Sequence, residues 1–99
     1  MIAIESLYDA AARSGLLQEA IWIPDLGPVM ATWVEFRAPD ASILDGIGMS
    51  TDYAMRFPAS RLAGIKQGDA VEISGTAYRV REVRAVGDGS ENRATLTRL

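Results

Sequence analysis

The chain has 99 residues with an apolar share of 48%, which predicts one globular domain over residues 1–99. It contains no cysteine and no histidine. Disulfides, thiolate metal sites and Ser–His or Cys–His catalytic pairs are therefore excluded. A net charge of −3 argues against a general nucleic-acid-binding protein, which needs a dominant basic surface. The sequence predicts a protein that is not an enzyme and needs no cofactor.

The acidic total conceals a difference between the two halves of the chain. Residues 1–52 carry two basic and eight acidic side chains, whereas residues 53–99 carry eight basic and five acidic ones. This division suits a subunit that meets different partners on different faces, although two well-hydrated surfaces account for it as well. No apolar run approaches the roughly 20 residues of a membrane span, and Glu5 interrupts the N-terminal apolar stretch at once. We expect neither a signal peptide nor a membrane anchor.

The spacing of apolar residues predicts a short helix over residues 3–14. Its apolar stripe recurs at helical intervals and consists of Ile4, Leu7, Tyr8 and Ala11. Gly15 follows as a helix stop. Because three helical turns are marginal in isolation, this helix must dock, either on the chain's own sheet or on a partner.

Residues 19–98 show the alternation and turn chemistry of short β-strands. Predicted strands include 20–23, 29–37 and 51–57, and tight turns are expected at Gly68-Asp69, Ser74–Thr76 and Gly87–Ser90. Tyr78 and Val80 alternate as inward-facing residues, but the next apolar residue, Val83, comes three positions after Val80 instead of two. This shift predicts a β-bulge near Arg81 or Glu82. The fold class is therefore mostly β, a small curled barrel or sandwich of about six antiparallel strands with a short N-terminal helix.

The long irregular segment 38–50 is the first candidate for a contact surface. Glycine, proline and turn-forming residues interrupt it, yet it carries four apolar side chains: Ile43, Leu44, Ile47 and Met49. Apolar groups on a loop need cover, which either the domain itself or a partner can supply. We predict these four residues as interface residues.

Two other patterns suggest ligands. Oxygen-bearing side chains occur at residues 87–91 and at Asp40 and Asp45, but neither group has the spacing of a calcium loop, so no metal site is predicted. A basic patch on the last hairpin comprises Arg79, Arg81, Arg84 and Arg93. A single-strand nucleic-acid site needs several stacking aromatics among such charges, and only Tyr78 is near. The patch fits a solvated or a protein-facing surface better, and on the second reading we predict Arg79 and Arg81 as interface residues.

The second half of the chain contains a strand with alternating apolar residues, a basic-x-Gly-Asp corner, and a hairpin with an aromatic-x-Val core. The segments that carry these features are Tyr53-Ala54-Met55-Arg56-Phe57-Pro58, Arg61-Leu62, Ile65-Lys66-Gln67-Gly68-Asp69-Ala70-Val71-Glu72-Ile73, and Thr76-Ala77-Tyr78-Arg79-Val80-Arg81-Glu82-Val83. Together they resemble the head–tail joining proteins of lambda-like tailed bacteriophages. The first half fits the family in layout, although its hairpin is more apolar here.

The resemblance implies a virion-assembly protein, phage- or prophage-encoded, that joins the head connector to the tail. Its partners would be head-completion proteins and tail tube or terminator proteins. It would be a monomer in the host cytoplasm and a ring in the virion. Three alternatives stay open: a small barrel that binds nucleic acid, a hydrolase using paired carboxylates, and a head–tail adaptor or tail terminator from a related barrel family.

Overall fold

The computed structural model describes residues 3–39 and 52–99. One helix precedes six strands along the chain, and the predicted class, mostly β with a short N-terminal helix, is confirmed. The elements are α1 (Ile4–Arg13), β1 (Gln18–Ile23), β2 (Met30–Arg37), β3 (Tyr53–Pro58), β4 (Ala70–Ile73), β5 (Thr76–Val86) and β6 (Glu91–Arg98).

The six strands close into a barrel in the order β1-β2-β3-β6-β5-β4, with every neighbouring pair antiparallel. Of the two architectures expected, the barrel is the one formed. Closure gives every strand two neighbours and removes the open edges that a sandwich of this size would expose. The order also places β4–β1–β2 on one half of the wall and β3–β6–β5 on the opposite half.

The barrel interior is filled by side chains that alternate along the strands. Its fully buried residues include Val34, Met55, Phe57, Leu62, Val71, Ile73, Val80 and Leu96. In β2 the inward positions are Thr32 and Val34, so Trp33 points outward and is 42% exposed. Trp22, by contrast, points into the core. The two tryptophans therefore have different environments.

Side chains from the barrel hold α1 against β2 and β3. Arg61 donates from both terminal nitrogens to the Asp9 carboxylate at 3.3 and 3.2 Å. The Tyr8 hydroxyl donates to Glu91 Oε1 at 2.7 Å, and Ser60 donates to Glu5. The helix thus docks on its own barrel, one of the two outcomes expected for it. The described residues contain no helix with the length and apolar character that crossing a membrane requires.

The predicted β-bulge is confirmed at Arg81. Val80 pairs with Leu96 and Glu82 pairs with Thr95, which leaves Arg81 without a partner in β6. The extra residue restores the inward phase at Val83, which packs against the core. The shift in the alternation of apolar residues, which the sequence shows, thus correctly predicted the position of the bulge in β5.

A two-residue turn joins β4 to β5 and supplies a test of local backbone chemistry. Ser74 and Gly75 have φ of 51° and 81°, the pattern of a type I′ turn. A Cβ at Gly75 would meet nothing within 4 Å, so a side chain there would be unfavourable only because of the positive φ.

We expect Gly75→Val to lower the free energy of unfolding by about 1–2 kcal/mol. Ser74→Asn, which suits positive φ, should instead raise it by a few tenths of a kcal/mol, roughly. Urea unfolding midpoints measure both, and equal midpoints for the two variants would contradict the turn assignment.

Candidate functional site

A buried carboxylate, Asp69, organises one end of the barrel. Its side chain is 1% exposed and accepts three hydrogen bonds of 3.0 Å, from Trp22 Nε1, the Lys66 backbone N–H and Lys66 Nζ. Its backbone carbonyl accepts from the Val80 N–H at 2.8 Å. The basic-x-Gly-Asp corner therefore connects β1, the turn before β4, and β5 immediately beside the bulge.

Opposing effects act on the Asp69 carboxyl. Burial raises its pKa, but the hydrogen bonds from Lys66 and Trp22 lower it more, and the net pKa is below the usual value. The same contact raises the pKa of the Lys66 ammonium. Asp69 is thus ionised and fully bonded at neutral pH, with no proton to exchange there. This arrangement stabilises the corner. It differs from a general base, whose pKa lies near the working pH and whose oxygens are within reach of a substrate.

Three arginines form a row across the outer wall of the barrel. Arg56 in β3 pairs with Arg93 in β6, and Arg93 pairs with Arg84 in β5. All three lie at outward positions of the register. Arg56 Nε is 3.3 Å from Glu91 Oε1, and Arg84 contacts Glu82. Within the described part of the chain, Arg93 has no carboxylate at ion-pair distance. We call these three residues the arginine row.

The predicted interface residues Arg79 and Arg81 lie beside this row. Both line a shallow groove of about 520 Å³ on the outside of β5 and β6. Arg79 is exposed, and Arg81, the bulge residue, contacts Asp52 at the start of the chain's second described range. The structure therefore brings these two arginines together on one surface.

The other four predicted interface residues are not located. Ile43, Leu44, Ile47 and Met49 lie in residues 40–51, outside the described residues. Asp40 and Asp45, considered as oxygen ligands, fall in the same segment. Within residues 3–39 and 52–99, no three carboxylate side chains come together as a metal site.

Tyr78, the aromatic residue expected to accompany the basic patch, points inward and is 5% exposed. Its ring packs with those of Phe36 and Tyr53, at centroid distances of 5.5 and 5.1 Å. The three aromatics close one end of the barrel interior and offer no stacking surface among the arginines. The combination that single-stranded nucleic acid requires is absent from this described face.

Sequence reasoning missed two features of these surfaces. Arg56 lies in a strand remote from the last hairpin, and only the pairing of β3 with β6 brings it to the row. The bond between Asp69 and Trp22 joins residues 47 positions apart. The sequence does contain one signal for a buried Asp69. The residue directly precedes an apolar strand, and Lys66, three positions earlier, can form an ion pair with it.

The sequence profile of the Phage Head-Tail Attachment protein family matches residues 1–96. The chain belongs to the phage head–tail attachment protein family. The match covers the helix and all but the last residues of β6, so it includes both the Asp69 corner and the arginine row. A comparison with curated proteins gave no match.

Membership in this family gives the barrel its role. The protein is a structural component of phage assembly that interacts with head and tail components, and it fits a place in the virion. The resemblance seen in the corner and hairpin segments is thereby confirmed at the level of the family.

Proposed function

We propose that this protein joins the head connector of a tailed phage or prophage to the tail through protein–protein contacts. The observation that carries the proposal is the family match over nearly the whole chain. The closed barrel supports it, because a filled interior with no open edge is a stiff spacer between two larger assemblies. In this proposal the protein is a monomer in the host cytoplasm and a ring in the finished particle.

The contact residues in this proposal are of two kinds. Arg79 and Arg81 lie on the described surface of β5, where charged side chains set the orientation of a partner. Ile43, Leu44, Ile47 and Met49 are proposed from the sequence alone, as apolar groups that a head or tail component covers.

Reconstitution tests the proposal directly. Purified protein is mixed with tailless, DNA-filled heads and free tails, and joined particles are counted by electron microscopy. We expect the wild-type protein to raise the count well above that of the mixture without it. No increase at saturating protein would contradict a joining role.

Charged substitutions in the loop test its part in joining. We expect Ile43→Asp with Leu44→Asp to abolish joining while the thermal unfolding midpoint stays within about 2 °C, because a charge cannot be buried against a partner without a counter-ion. The matched control is Leu26→Asp, since Leu26 is an apolar side chain 91% exposed at the β1–β2 turn. Normal joining by the loop variant would remove Ile43 and Leu44 from the interface.

A further inference from the structure

The arginine row is a feature that the isolated barrel does not explain. Like charges directly opposite one another on neighbouring strands are destabilising, and here two such pairs, Arg56–Arg93 and Arg93–Arg84, are consecutive. Arg56 and Arg84 each contact a carboxylate, whereas Arg93 has none at ion-pair distance among the described side chains. A negative group supplied from outside would relieve the repulsion at Arg93. The row therefore has the character of an anion-accepting surface.

A surface of complementary charge lies on the other half of the same barrel. On β4–β1–β2 the outward positions include Glu19 and Glu72, diagonal neighbours on adjacent strands. Neither has a cation at ion-pair distance among the described side chains. Between and beside them lie Ile21, Ile23 and Trp33, of which the last two are 44% and 42% exposed. We call these five residues the acidic-apolar face.

The strand order places the two surfaces on opposite sides of the molecule. In the closed order β1-β2-β3-β6-β5-β4, strand β1 is three places from β6, directly across the barrel. β1 is central to the acidic-apolar face, and β6 is central to the arginine row. Complementary surfaces on opposite sides of one subunit produce a head-to-tail contact, which propagates into a closed ring or a filament.

We propose that the acidic-apolar face of one copy docks on the arginine row of the next. Glu19 and Glu72 of one copy place carboxylates next to Arg93 of the neighbouring copy. The outward indole of Trp33 offers a surface on which the guanidinium groups of the row stack. The inference rests on the proposed function, because it assigns the subunit contact of the ring proposed there. A second copy is favoured over nucleic acid because the aromatic rings near the row point inward.

Cross-linking between two differently tagged variants tests this contact. The chain has no cysteine, so Ile21→Cys within the acidic-apolar face and Thr95→Cys next to Arg93 on β6 each give a single thiol and keep every charged side chain of the two surfaces. The mixture of the two variants is added to tailless, DNA-filled heads, where the ring is proposed to assemble, and is treated with a short bismaleimide at low salt. We expect it to yield at least tenfold more cross-linked dimer than either variant alone under the same conditions. Ser90→Cys, on the turn between β5 and β6, replaces Thr95→Cys in the control mixture. Equal yields in the test and control mixtures would overturn the proposal.

A charge exchange makes the test specific. Adding Arg84→Glu and Arg93→Glu to the Thr95→Cys variant should reduce cross-linking at least tenfold. Adding Glu19→Arg and Glu72→Arg to its Ile21→Cys partner should restore it. Circular dichroism checks that each variant is folded. Cross-linking that is indifferent to these reversals would overturn the contact, as would salt-sensitive retention of DNA that the arginine reversals abolish without any cross-linked dimer.

The joining assay separates this inference from the proposed function. If wild-type protein joins heads to tails but the cysteine variants do not cross-link, the subunit contact is wrong and joining stands. If the variants cross-link but wild-type protein does not join particles, the contact stands and the joining role is wrong.

Discussion

Replacing Asp69 with alanine should lower the free energy of unfolding by about 3 kcal/mol, because it leaves buried donors without an acceptor. Trp22 Nε1 lies in the core and loses the acceptor that Asp69 provides, and the Lys66 backbone N–H loses its bond to the same carboxylate. Asp69→Asn keeps a neutral acceptor and should lose about half as much. Urea unfolding measures both variants, with Glu72→Gln on the neighbouring strand as the control, expected within about 0.5 kcal/mol of wild type.

The Asp69 corner should also set part of the acid stability. A folded-state pKa below the unfolded value means that the carboxylate contributes stability above about pH 4, the unfolded pKa, and loses it as the pH falls through the folded value. The stability of wild-type protein should therefore decrease more steeply than that of Asp69→Asn on acidification below pH 4. Some slope should persist in the variant, because the pKa of Glu5 and that of Asp88 are lowered too, by hydrogen bonds from Ser60 and from Ser90. Parallel curves would show that the corner carboxylate is not ionised preferentially in the fold.

The sequence predicts local features of this protein well because they depend on neighbouring residues. Alternation from Tyr53 to Phe57 identifies β3, and the slipped phase after Val80 identifies the bulge. The turn at Ser74–Thr76 follows from Gly75, a residue that adopts positive φ at little cost. In each case the deciding interaction lies within a few positions along the chain.

The candidate surfaces depend on pairings that no local pattern contains. β3 pairs with β6, which begins more than thirty residues later in the chain, and this pairing adds Arg56 to the arginine row. The outward direction of Trp33 was equally undetermined, because both faces of β2 carry apolar residues and only burial of Val34 settles the phase. The candidate interaction surfaces form only when the strands pair in this order. In the sequence they are visible only as a difference in charge between the two halves of the chain.

Replacing Phe57 tests how far the packed core fixes the relative positions of the arginine row and the acidic-apolar face. It is fully buried in β3, which is hydrogen-bonded to β2 on one side and β6 on the other. Because a strand held on both sides cannot move inward easily, the cavity left by Phe57→Ala should persist, and we expect a loss of about 4 kcal/mol. A domain of this size has a total stability of roughly 5–15 kcal/mol, so the variant would retain little of it.

The same substitution should weaken docking although Phe57 touches no partner. The arginine row and the acidic-apolar face lie on opposite walls of the barrel, and the packed interior between the walls helps to fix their relative orientation. We expect Phe57→Ala to reduce both joined particles and cross-linked dimer below 25 °C, where part of the protein is still folded by circular dichroism. Phe57→Leu, which fills most of the volume, should keep both yields near those of wild type. If Phe57→Ala costs less than about 2 kcal/mol and joins normally, the wall can adjust around the cavity, and the two surfaces do not need a rigid barrel between them.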